Sequence, residues 1–385
     1  MPMPAGRGKP PGGRQLRAAL RHLPPYPVLL AAGGLCLGLI PDLPSIHLQG
    51  QLILTVFVPA LVFEAAANVN LRELRQQALR VGSLATLGVL VTIVVVATLS
   101  QALAGLTWLD GFLLGANLAP TDPIAVTAVL RRLPAPPALG AVLEGESLFN
   151  DGTGVVAFAV VMAALQTAHI SLPDLAAQAL ELTIGGAAVG VLVGTAAAGV
   201  LRLVDTRVSE LTTTLVAAYA AYVGGQWLGV SGVMATVVAG VVVGSRENWR
   251  ERTARNWQRL AVALNVVLFA LIGLGLPSYH ALLLLPAVAV TYLAVLAARS
   301  FLVFSAFART PFSWRPVGFL GGLRGALSVA LALVARDTAG VDGRVPTIAY
   351  GVVVAGLLLQ GALLRPLLRL SGVATKPPPQ EPEPD

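Results

Sequence analysis

About twelve apolar runs of spanning or near-spanning length divide this 385-residue chain. They fall at roughly 26–41, 48–67, 81–105, 109–130, 139–165, 175–201, 211–228, 232–245, 257–276, 281–307, 315–335 and 347–370. A run near 20 residues lets one helix cross the hydrocarbon core of a bilayer, and a helix satisfies its own backbone there. Composition agrees: 56% of residues are hydrophobic and 12% charged, with a mean hydropathy of +0.77, against roughly 25% charged in an average soluble chain. So few charges could not keep a soluble surface wet. The chain reads as an all-α polytopic membrane protein of about 12 transmembrane helices.

The distribution of charge orients it. The formal charge of +7 and pI near 10.2 come from short clusters of Arg between apolar runs, without the basic, aromatic face of a nucleic-acid module. No nucleic-acid partner is expected. With the N-terminus in the cytoplasm, alternate loops hold Arg72, Arg75 and Arg80; Arg131 and Arg132; Arg202 and Arg207; Arg246, Arg250, Arg252, Arg255 and Arg259; then Arg309 and Arg315. The C-terminal end adds Arg365, Arg369 and Lys376, while the outer loops hold only Arg336 and Arg344, balanced by Asp337 and Asp342. This asymmetry is the positive-inside pattern, and it puts both termini in the cytoplasm. Residues 1–25 read as a basic cytoplasmic tail, 26–370 as the transmembrane domain and 371–385 as a disordered, Pro-rich tail. The four histidines (His22, His47, His169, His280) lack metal-ligand spacing, and Cys36, the single cysteine, allows no internal disulfide.

Nearly every ionisable residue is assigned to a loop or a helix end, the exceptions being Glu64, Asp122, Glu144, Glu146, Asp151 and Arg324. A charge at mid-bilayer costs about 2.5–3.5 kcal/mol on insertion scales, and such residues mark ion or proton paths. Asp122 lies in LAPTDPIAV between Pro120 and Pro123, each lacking a backbone donor. The helix should be interrupted there, presenting Thr121 and Asp122 to a cavity, as in the broken helices of secondary transporters. A structural proline kink is the plainer alternative. In LEGESLFNDGTGVV, Ser147 and Asp151 stack one turn apart, while Glu146 and Asn150 form the adjoining stripe. A carboxylate, an amide and a hydroxyl together offer oxygens to a hard monovalent cation. Glu144 is an entrance or structural residue, and Glu64 lines the path or snorkels to the interface. Arg324, in GGLRGALSVALA, reads as the one basic side chain deep in the bilayer, needing a carboxylate partner.

With VFEAA at 62–66, APTDPIAV at 119–126, EGESLFNDGTG at 144–154 and GGLRGALSVALA at 321–332, the chain resembles the monovalent cation/proton antiporter family of NhaP and NHE type over roughly 26–370. The resemblance implies an inverted-repeat fold with broken helices at the midplane. It implies a cation site of Thr121, Asp122, Ser147, Asp151 and Glu64, with Asn150 beside them, and a structural ion pair of Glu146 with Arg324. Relatives begin with one more helix, which is not expected here, so the geometry of the homodimer the family implies stays open. No cofactor is implied, only the transported Na⁺ or Li⁺ and H⁺.

The leading expectation is electroneutral exchange of Na⁺ (or Li⁺) for H⁺ by alternating access, without enzyme activity. A K⁺/H⁺ antiporter is the near alternative. A channel and an intramembrane aspartyl enzyme are more distant, the latter lacking its YD and GxGD motifs. With 24 Arg against 2 Lys, the composition suits a GC-rich bacterium and hence its inner membrane.

Overall fold

The structure, a computed structural model, describes residues 29, 30, 33, 49–130, 136–167, 171–204, 206–245, 249–274 and 283–371. The expected first run, 26–41, lies outside them apart from three residues, as do both expected tails apart from Ser371. The other expected runs each correspond to a helix or a pair of helices, and no strand occurs among the described residues. Among the described residues, six helical stretches are by themselves long and apolar enough to cross a membrane.

The helices are α1 (Gly50–Val56), α2 (Val58–Asn68), α3 (Leu71–Gln76), α4 (Ala78–Ala104), α5 (Trp108–Asn117), α6 (Ile124–Leu130), α7 (Pro137–Thr167) and α8 (Leu172–Val200). Then follow α9 (Arg207–Trp227), α10 (Gly232–Gly244), α11 (Trp249–Leu274), α12 (Leu285–Ala306), α13 (Trp314–Leu320), α14 (Ala326–Arg336) and α15 (Arg344–Leu370). Several ends are set by local chemistry. Asn70, Thr107, Thr206 and Ser231 cap α3, α5, α9 and α10 by accepting backbone N–H bonds, which removes donors the helix cannot use. Gly105, at φ +65°, ends α4 in the left-handed conformation.

Two sets of helices result. In the first, α4 packs on α5, α7 and α12, while α15 packs on α12 and α14. A long helix, a broken pair and a long helix occur twice in order: α4, α5/α6, α7 and α12, α13/α14, α15. Six crossings lie between α4 and α12, so the second run passes the membrane in the opposite sense, an inverted repeat. In the second set, α10 lies between α2 and α8 and also packs on α9. Small residues make that closeness possible. Gly186, Gly190 and Gly194 recur on one face of α8, and a Cβ at Gly190 would lie 2.4 Å from the Ala235 carbonyl of α10. On its other side, a Cβ at Gly240 would sit 2.6 Å from Ala66 Cβ of α2. The buried Trp257 of α11 donates its indole N–H to Thr214 Oγ1 of α9 at 2.9 Å and stacks near Phe63 of α2.

A candidate ion site at two crossed helix breaks

Residues 118–123 are non-helical between α5 and α6, because Pro120 and Pro123 cannot donate to a helical ladder. Residues 321–325 separate α13 from α14 within GGLRG. The two breaks touch: the Asp122 N–H donates to the Leu323 carbonyl at 2.7 Å. Gly325 is extended backbone that any residue adopts, yet a Cβ there would lie 2.5 Å from Asp122 Cβ. Glycine is required by this close approach, not by its dihedral angles. One Asp122 carboxylate oxygen accepts the Ile124 N–H at 2.9 Å, capping α6.

Helix α7 clamps the first break. Ser147 donates its hydroxyl to the Thr121 carbonyl. The Asn150 amide donates to Thr121 Oγ1 at 2.8 Å and accepts the Thr121 N–H at 3.3 Å. One turn past Ser147, Asp151 faces a cavity of about 180 Å³ that Glu64, Thr121, Asp122 and Ser147 also line. Five of the six residues expected around the cation thus share one cavity. Asn150, expected among them, does not line it; one residue of helix rotation turns its side chain to the back of the break.

Acidic groups dominate this cavity. Glu144 lines it too, and none of the lining residues is Lys or Arg. Low-dielectric walls with one sign of charge concentrate counter-ions, here cations. Among the described residues no three acidic, His or Cys side chains converge into a metal cluster. Any ion would therefore be shared between carboxylate, hydroxyl and carbonyl oxygens and water. From α2, Glu64 is oriented by Asn68, whose amide donates to its carboxylate at 2.9 Å.

The structure corrects the expected ion pair. Glu146 is bound by both terminal nitrogens of Arg299, on α12, and not by Arg324. Arg299 also donates to the Gly318 carbonyl at the end of α13. Glu146 and Arg299 are both 3% exposed, so Arg324 is not the lone basic residue in the interior. Arg324 instead donates to the carbonyls of Ala119 and Pro120, at 2.6 and 3.2 Å. Its guanidinium faces the carbonyl end of α5, where the helix dipole is negative. The signal for Arg299 was present, since it lies inside the 281–307 run. Three other cavity residues missed in the sequence, Thr127, Asn265 and Ser328, carry no charge to set them apart from an apolar run.

Discontinuous helices that cross inside an inverted-repeat bundle, with carboxylates at the crossing, define the antiporter fold. The sodium proton antiporter MjNhaP1 of Methanocaldococcus jannaschii superposes with a TM-score of 0.73 at 22% identity, covering 94% of each chain. The chain belongs to the transmembrane sodium/hydrogen exchanger family, whose model matches residues 16–370. It is 33% identical to the Na⁺/H⁺ antiporter ApNhaP of Aphanothece halophytica over 377 residues, 93% of this chain and 72% of that one. It is 35% identical to the Na⁺/H⁺ antiporter NhaP of Pseudomonas aeruginosa over 357 residues, 83% and 81% of the two chains. These relatives are named as antiporters, not as enzymes, and the chain is an integral membrane protein.

Proposed function

We propose that this protein exchanges Na⁺, or Li⁺, for H⁺ across the bacterial inner membrane, one for one. The observation that carries the reading is the cavity at the crossed breaks, with Asp122 and Asp151 on its wall and no basic side chain lining it among the described residues. The antiporter names of its relatives support the choice of ions. Both termini are cytoplasmic in this reading, and the protein works as a homodimer in lipid.

Exchange follows from competition for one negative charge. Glu146 and Arg299 cancel. Arg324 contributes +1 at the crossing and Asp122 and Asp151 contribute −2, leaving −1. Glu64 belongs to the other set of helices, and Glu144 lies about 10 Å along α7 from Asp151. A Na⁺ held by Asp151, Asp122, Ser147 and Thr121 neutralises that charge, and so does a proton on Asp151. Either loaded state presents a neutral core to the membrane, whereas the empty core is charged and costly to move through low dielectric. Empty return is thereby suppressed, and cation movement one way is tied to proton movement the other. Asn150 carries no charge and positions Thr121.

The test is a pH probe inside everted vesicles or proteoliposomes, with Na⁺, Li⁺ and K⁺ added in turn. Saturable, cation-dependent proton movement is expected with Na⁺ or Li⁺. A response to K⁺ alone would favour the K⁺/H⁺ alternative. Conductive, non-saturating flux without proton movement would identify a channel.

A further inference from the structure

The cavity is lined by two polar side chains, Asn265 and Ser328, that the exchange scheme leaves unused. Asn265 is the residue of α11 that lines it; the side chain is 4% exposed and makes no hydrogen bond among the described residues. Ser328, on α14 one turn beyond Gly325, is fully buried, and its hydroxyl oxygen has no partner among the described residues. Helices α11 and α14 pack against each other. Buried amides and hydroxyls in folded proteins are almost always hydrogen-bonded, because leaving them unmet forfeits their hydration. Ser328 is such a group, and Asn265, from the opposite set of helices, lines the same cavity with Asp122 and Asp151; together they point to a ligand that the polypeptide does not itself supply.

We propose that the Asn265 carboxamide oxygen and the Ser328 hydroxyl oxygen are further neutral ligands of the transported monovalent cation, beside Ser147 and Thr121, and that they set which cation is accepted. The proposal rests on the exchange reading above. Carboxylates attract any cation and also take the proton, so they discriminate poorly among Na⁺, Li⁺ and K⁺. A carboxamide and an alcohol coordinate a metal ion but are not protonated at working pH. Asn265 belongs to one set of helices and Ser328 to the other, so the spacing of the two walls limits the size of ion that touches both. Their removal therefore acts on the cation and leaves the competing proton alone.

The experiment measures apparent KM for Na⁺, Li⁺ and K⁺, and the pH profile at saturating cation, in proteoliposomes of wild type, Asn265→Ala and Ser328→Ala. Loss of one neutral ligand to a charge is expected to raise the KM of the preferred cation roughly tenfold. The ranking of the three cations should change while the pH profile stays in place. Ser328→Ala removes one oxygen and little packing, so it remains informative if Asn265→Ala folds poorly. Wild-type KM values and ranking in Ser328→Ala, or in a folded Asn265→Ala, overturn the proposal. Absence of cation-dependent proton movement in the wild type would instead overturn the exchange reading on which it rests.

Discussion

Arg299 and Arg324 carry the same charge into the interior and are held there differently. Arg299 is bidentate on Glu146, whereas Arg324 rests on two carbonyls of the first break. Removing one member of a buried pair strands the other charge and costs about 3–5 kcal/mol. Glu146→Gln and Arg299→Met should therefore each lower the melting temperature in detergent markedly. The double replacement should recover part of that loss; a double variant no better than the sum of the singles would show that the two are not coupled. Asp151→Asn is different in kind, because it removes the group that alternates between proton and cation. Exchange should vanish while insertion and melting stay near wild type. Residual exchange at the wild-type rate would move the assignment to another carboxylate.

Among the elements, the crossing of the breaks depends on contacts that leave no room. A methyl group at Gly325 would meet Asp122 Cβ at 2.5 Å and a carboxylate oxygen at 2.6 Å, far inside normal contact. Since the backbone there suits any residue, Gly325→Ala should displace Asp122, raising apparent KM for the cation several-fold before it unfolds the protein. A wild-type KM would mean the two breaks can separate at little cost. A second contact joins the repeats outside the membrane. Asp110 of α5 accepts the Thr107 hydroxyl at 2.6 Å and the Asp342 N–H at 3.1 Å. Arg344 pairs with Asp342 at 2.7 Å and donates to the carbonyls of Ala104 and Gly105 at the C-terminal end of α4. The Arg344 guanidinium holds the Asp342 carboxyl below its ordinary value. A depressed carboxylate contributes stability above its unfolded pKa, about 3.9, and loses it as pH falls through the folded value. The difference in melting temperature between wild type and Asp342→Asn should be present at pH 7 and shrink below about pH 4. A difference that is constant with pH would assign the latch to geometry instead of charge.

For the whole molecule, the one-for-one reading stands on the charge count. Were Arg324 spent on Glu146, as first expected, Arg299 would be the unmatched cation and the sum would not change. The count is therefore robust to the pairing, but the position of the compensating charge is not, and only Arg324 reaches the crossing where Asp122 sits. A neutral loaded core should be indifferent to voltage, whereas a two-proton exchanger would move one charge, worth about 2.3 kcal/mol per 100 mV. The check is the final Na⁺ gradient in proteoliposomes with the potential clamped by potassium and valinomycin, after potassium is shown not to be a substrate. A gradient that shifts with the clamped potential would exclude the electroneutral cycle.

Insertion cost is local, and so the sequence by itself determined the membrane class, the apolar runs that the described helices follow and the break between Pro120 and Pro123. Each apolar residue, missing proline donor and misplaced carboxylate adds its free energy wherever the chain goes. Asp122, Asp151, Glu64 and Glu146 were legible for that reason, as charges that lipid rejects. Which groups meet across the bundle depends on how far each helix rotates and where it crosses its neighbours, and one residue of rotation is about 100°. Only the tertiary structure could turn Asn150 to the back of the break while Asp151 faces the cavity, or give Glu146 to Arg299 across 153 residues of chain. It alone placed Asn265 and Ser328 on that cavity, because a neutral polar side chain in an apolar run costs too little to announce its partner.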